Sequence, residues 1–209
     1  NLWIGTFSHG VERLDRRKKI FHHYNMQGPN PIHASYITSF MEDTHGNLWI
    51  GTGYGIDVLD RKSGKFVHYL NRINDSGSLS NNSVLDIYED TRGLIWIGTQ
   101  GGLNLFDRVN NRFTSLTNED GLPHNSILTI LEDHNRNLWV STPHGISNLK
   151  IAYEPGRKDS LSIQFRNYDE KDGLQGIQFN ENAACQTATG ELIFGGGNGF
   201  NLFKPEDVG

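Results

Sequence analysis

A chain of 209 residues with a net charge of −5 is long enough to bury one substantial core, and it has no basic excess with which to attract a nucleic acid. A single cysteine, Cys185, excludes an internal disulfide framework. No apolar run nears the roughly 20 residues that span a bilayer, so no membrane insertion is expected of this segment.

From its first residue the chain repeats itself. NLWIGT at Asn1–Thr6 returns as NLWIGT at Asn47–Thr52, LIWIGT at Leu94–Thr99 and NLWVST at Asn137–Thr142. A degraded copy, ELIFGGG, stands at Glu191–Gly197. Trp3, Trp49, Trp96 and Trp139 thus recur with a period of about 45 residues, which marks a β-propeller with one blade per repeat. A helical array would show an apolar rhythm of about 3.6 residues, and there is none.

The third repeat reads most clearly. Val84–Glu89 alternates apolar and polar residues as an innermost strand, and Asp90–Gly93 turns the chain. Leu94–Thr99 is the second strand, Leu103–Asp107 the third and Arg112–Leu116 the outer one, joined by Gly- and Asn-containing turns. The expected fold is therefore all-β: a β-propeller fragment of about four to five four-stranded antiparallel blades. They run over 1–24 (lacking the first strand), 37–69, 84–116, 127–168 and 178–203 (lacking the outer strand). Together they make a single partial propeller over 1–209. The chain opens within a repeat, without a methionine or signal peptide, and is expected to be a segment of a longer protein.

Alignment of the repeats separates two kinds of residue. Those that return from blade to blade serve folding: the four tryptophans, Phe21, Phe66, Phe113 and Phe165 on the outer strands, and, in three blades, the pairs Glu42-Asp43, Glu89-Asp90 and Glu132-Asp133 before a turn. The basic run Arg16–Lys19 occupies a hairpin that returns at Asp60 and Asp107 and reads as a solvated turn. Asn82-Ser83 and Asn125-Ser126 precede first strands and are expected to cap their loops. A longer interval between Trp139 and Phe165, around Glu154–Asp159, reads as an extended solvated hairpin. No Gly-x-Ser-x-Gly, Walker loop, His-Glu-x-x-His or Cys-x-x-Cys is present. The nine histidines are scattered, so no catalytic residue, cofactor or metal is expected.

Residues that differ between blades cluster in two sets of loops on one face, the hairpins between second and third strands and the connections between blades. They gather Phe7, His9, His33, Tyr54, Gln100, His124, His144, Gln175 and Asn198 around the axis. Aromatics, imidazoles and amides suit a neutral, hydroxyl-rich ligand.

The units EDTHGNLWIGTGYGI, EDTRGLIWIGTQGGL and EDHNRNLWVSTPHGI, with DGLPHNSI at Asp120–Ile127, resemble the two-component regulator propeller repeat. Asn135-Arg136-Asn137 in place of the turn glycine and Val140-Ser141 in place of Ile-Gly depart from it. The resemblance implies the periplasmic sensor region of a (hybrid) two-component histidine kinase, responding to an oligosaccharide. It further implies that remaining blades, a following β-sandwich domain, the kinase and its membrane helix lie outside this segment. Open blade edges invite self-association. Two other readings stay open: a polysaccharide-active propeller enzyme, lyase or glycosidase, with Tyr54 and His9 or His144 as its only Tyr–His pair, or a protein-docking scaffold.

Overall fold

The computed structural model describes residues 1–154 and 157–208. Blade 1 is the three-stranded sheet β1 (Leu2–Gly5), β2 (Val11–Asp15) and β3 (Ile20–Tyr24). Blade 2 comprises β4 (Ile37–Glu42), β5 (Leu48–Thr52), β6 (Gly55–Asp60) and β7 (Lys65–Tyr69). Blade 3 comprises β8 (Val84–Glu89), β9 (Ile95–Thr99), β10 (Gly102–Asp107) and β11 (Arg112–Leu116). Blade 4 comprises β12 (Thr129–Glu132), β13 (Leu138–Thr142), β14 (Gly145–Glu154) and β15 (Arg157–Tyr168). Blade 5 has three strands, β16 (Phe179–Gln186), β17 (Leu192–Gly196) and β18 (Gly199–Phe203). All neighbours pair antiparallel in sequence order. Inner strands β4, β8, β12 and β16 stand beside one another.

The second strand of each complete blade is apolar at successive positions because blades cover both of its sides. Trp49 packs with Ile95 and Ile97 of blade 3, Trp96 with Leu138 and Val140 of blade 4, and Trp139 with Leu192 and Phe194 of blade 5. The even positions of one strand thus meet the odd positions of the next. Each indole hides about 150–250 Å². At about 25 cal/mol per Å² that is roughly 4–6 kcal/mol of gross driving force per blade, an upper bound because unfolded chains are partly collapsed. Trp3 is only half-buried and Phe21 is 49% exposed, because no described blade covers that side of blade 1. The expectation that Phe21 is core therefore fails, whereas Phe66 and Phe113 are buried. The extended hairpin of β14 and β15 matches the long fourth repeat; its tip, at 155–156, lies outside the described residues.

At the lower rim, where first strands turn into second strands, one device appears three times. Asp43, Asp90 and Asp133 accept hydrogen bonds from the indole N–H of Trp49, Trp96 and Trp139 at 2.9, 3.0 and 2.9 Å. The same carboxylates accept the backbone N–H of Asn47, Leu94 and Asn137 at 2.8, 3.0 and 2.9 Å. Each clasp closes its turn and satisfies a buried donor. Burial opposes ionisation of Asp43, but the donors from Trp49, Asn47 and Arg108 outweigh it and hold its pKa down to about 2.

The glutamates beside the clasps work between blades. Glu89 accepts the backbone N–H and hydroxyl of Thr44 in blade 2 at 2.7 and 2.9 Å. Glu132 does the same for Thr91 in blade 3 at 2.8 Å for both. Arg108 joins the two systems, reaching Asp43 at 3.0 Å and Glu89 at 2.9 Å.

Candidate ligand-binding face

The upper rim is built on a repeated backbone frame. Thr6, Thr52, Thr99 and Thr142 close the hairpins after the second strands by donating to the carbonyls of Gly10, Gly55, Gly102 and Gly145 at 2.8–3.0 Å. Gly55 has a φ of 92°, and a Cβ there would meet the Tyr69 carbonyl at 2.5 Å, so neither strain nor space admits another residue. Backbone bonds from Gly10 to Ser35, Gly55 to Asn82 and Gly145 to Ile177 stitch three of these hairpins to the connection entering the next blade. Asn82 and Asn125 cap their connections as expected, accepting the N–H of Asn71 and Asn118 at 2.7 Å.

A second repeated device fixes the connections. The third strand offers Asp57, Asn104 and Asn201 to the N–H of His33, Ser80 and Gln175 at 2.8, 2.9 and 3.0 Å. In blade 4 the corresponding loop residue is Pro123, which has no N–H to donate. The strand residue is accordingly Ser147, which turns to Asn167 at 2.7 Å.

On this frame the nine expected residues form local groups. Phe7, 79% exposed, lies edge-on to Tyr36 with ring centroids 4.7 Å apart. His9 meets its neighbour Ser8 at 2.9 Å. His124 and His144 stand edge to face at 4.8 Å, and burial, then the neighbouring imidazole, lower the pKa of His124. Gln175 accepts the N–H of Asn198 at 2.8 Å. Tyr54 and Gln100 are exposed, and among the described residues no hydrogen bond or ring contact joins Tyr54 to His9 or His144. The structure therefore assembles pairs on one face; it does not draw all nine into one pocket.

The clefts lie elsewhere. One of about 160 Å³ is lined by Trp139, Tyr168, Leu174 and Phe203 between blades 4 and 5. Another of about 270 Å³ is lined by Arg13, Tyr24, Leu59 and Arg61 between blades 1 and 2. None of the nine residues lines either one.

Two groups escaped the sequence reading. His33 gathers with Asp57 and His68, their donor atoms within 4.8 Å of one another. Asp57 and His68 lie on adjacent strands of blade 2 in direct register, a pairing that the repeat alignment could have given. The second is Asp86 in inner strand β8, at a register shift; it accepts the N–H of Ile87 and of Ile130 in the next blade, each at 2.8 Å. Burial pushes its pKa up to about 6 against these two bonds. Among the described residues, no helix is long and apolar enough to cross a membrane.

Comparison with known proteins gives the fold its relatives. The two component regulator propeller model matches residues 31–54, 78–101 and 121–144. The extracellular domain of hybrid two component system BT3049 from B. thetaiotaomicron is 30% identical over 98% of this chain and 26% of its own, with a TM-score of 0.81. That of BT4673 from the same organism is 20% identical over 96% of this chain and 25% of its own, with a TM-score of 0.73. The chain thus spans about a quarter of the length of these relatives. Virginiamycin B lyase from Staphylococcus aureus shares the fold alone, at 13% identity over 81% of this chain and 53% of its own and a TM-score of 0.57. No curated protein matches the chain. The chain thus carries three repeats that match the two component regulator propeller model, set in all-β blades like those of the BT3049 extracellular domain.

Proposed function

We propose that this chain is a segment of the periplasmic, ligand-sensing region of a hybrid two-component sensor kinase, that it responds to an oligosaccharide, and that it performs no catalysis itself. The observation that carries the reading is the 30% identity, along almost the whole chain, to the extracellular domain of a hybrid two component system. The variable upper rim supports the ligand class: exposed aromatics and amides on a rigid backbone frame favour stacking and hydrogen bonding to hydroxyls. Occupancy would reach the kinase through differential affinity for two arrangements of the receptor. The remaining blades and a following β-sandwich domain complete the receptor in this reading.

Calorimetric titration with defined oligosaccharides tests it, on this chain and on a longer one carrying the whole propeller and the next domain. Binding by either supports the reading, and loss of it on Tyr54→Ala or His144→Ala puts the site on the upper rim. Turnover of any glycan, or silence from both chains across the panel, overturns it.

A further inference from the structure

The connection cap on the third strand needs no charge. Asn104 performs it for Ser80 and Asn201 for Gln175, and the residue facing Asn104 across the sheet is Ser115. Blade 2 performs the same task with an ionisable set. Asp57 replaces the asparagine, His33 replaces the serine whose N–H is capped, and His68 replaces the facing serine. The Asp57 carboxylate is wholly buried, and among the described residues no lysine or arginine pairs with it. Among the described residues, its only side-chain partners are the two imidazoles. His68 Nδ1 lies 2.6 Å and His33 Nδ1 3.7 Å from the same carboxylate oxygen, and the ring centroids are 3.9 Å apart. The His33 Nδ1 is itself buried without a hydrogen-bond partner.

A buried carboxylate needs a positive partner, and two imidazole nitrogens with one carboxylate oxygen are donors that suit zinc. Ligands around a tetrahedral zinc at about 2.0–2.1 Å stand roughly 3.3 Å apart, so the observed 2.6 and 3.7 Å separations bracket the required spacing. We propose that His33, Asp57 and His68 form a binding site for a divalent transition metal of the zinc class on the upper rim of blade 2. The ion takes the place of the proton between His68 Nδ1 and Asp57 Oδ1 and gives the orphaned His33 Nδ1 its partner. With three protein donors, a water or a ligand oxygen would complete the tetrahedral shell. The sequence expectation of no metal is revised at this one place, and the site stands independently of the sensing role.

The test is titration of chelator-treated protein with zinc chloride, read by calorimetry and by melting temperature. The expected result is one ion per chain, released protons, and a melting temperature that climbs with free zinc. The triple variant His33→Ser, Asp57→Asn, His68→Ser copies the residues blade 3 already uses, so the cap survives. It should melt like the metal-free wild type and lose both responses. Should the triple variant unfold, His68→Ser alone removes a ligand without touching the cap and must abolish the one-to-one isotherm. His23→Ala, which breaks the comparable Glu12–His23 pair of blade 1, should leave binding unchanged. Equal zinc uptake by the ligand variants, or no uptake by cooperatively melting wild type, overturns the proposal.

Discussion

The lower and upper rims of these blades are built from the same strands and obey opposite rules. Below, side-chain chemistry is copied: three aspartates hold three indoles at distances that differ by 0.1 Å. Above, the side chains that hold the backbone frame are copied, the threonine closures and the connection caps, while those exposed on it change from phenylalanine to tyrosine, glutamine and histidine. The lower rim shows what a blade requires, and the upper rim shows what a blade leaves free. Blade 5 sharpens the point. Where Ile193 replaces tryptophan there is no indole donor, and Thr187 replaces aspartate at the same time. Donor and acceptor come and go together, as expected if a buried partner left alone is more costly than the pair is valuable.

Breaking a clasp should have the largest effect. Asp90→Ala leaves the Trp96 indole and several turn N–H groups without an acceptor and should lower stability by about 3–5 kcal/mol, read by urea denaturation. Copying blade 5 with Asp90→Thr and Trp96→Ile together should be milder than the sum of the two single changes, with a coupling of about 0.5–3 kcal/mol. Strict additivity would mean that the clasp is not a unit.

Next comes pH. The folded pKa of Asp86, about 6, exceeds the unfolded value of about 3.9, so its protonation favours the native state. That contribution is complete below about pH 4 and is lost as pH rises through 6. Asp43 acts in the opposite sense: its contribution is present above about pH 4 and disappears as pH falls toward 2. Stability of the wild type measured between pH 7 and 4 should therefore carry a rise on acidification that Asp86→Asn lacks. Parallel curves would remove Asp86 from the account.

Cutting one staple is smaller still. Thr91→Val removes the hydroxyl bond to Glu132 but keeps the backbone one, and should lower stability by about 1 kcal/mol. On the upper rim, Tyr54→Ala should change stability by no more than about 0.5 kcal/mol, since its exposed ring holds nothing in place. A loss as large as that from the clasp would mean that the two rims do not differ as described.

Much of this architecture was legible because it is periodic. The Trp spacing gave the blades, the alternation in Val84–Glu89 gave the inner strand, and recurrence of the Glu-Asp pairs marked them as structural. What escaped lies between repeats. Arg108 meets Asp43 from 65 residues away, and Glu89 serves Thr44 of the preceding blade. Spacing along the chain does not record such pairings, because they depend on how one sheet is rotated against the next. The His33–Asp57–His68 cluster was missed for a related reason: a loop and two strands supply one residue each, so no motif of fixed spacing exists. Phe21 was misread because recurrence reports what a position can do inside an array, and blade 1 has a described neighbour on one side only.

The glutamate–threonine staple has a polarity. Blade 2 carries a tongue, Thr44, for its successor, blade 4 a socket, Glu132, for its predecessor, and blade 3 carries both, Thr91 and Glu89. The joints on the two sides of blade 3 are therefore equivalent. Duplication or loss of blade 3 would leave every stapled joint matched, and a lineage of these proteins could lengthen or shorten its array there without inventing new contacts. The series stops at blade 5, where Gln186 stands in the socket and His134 of blade 4 stands in place of the tongue, near Glu206 instead. A repeat with a threonine tongue would find no carboxylate socket on blade 5.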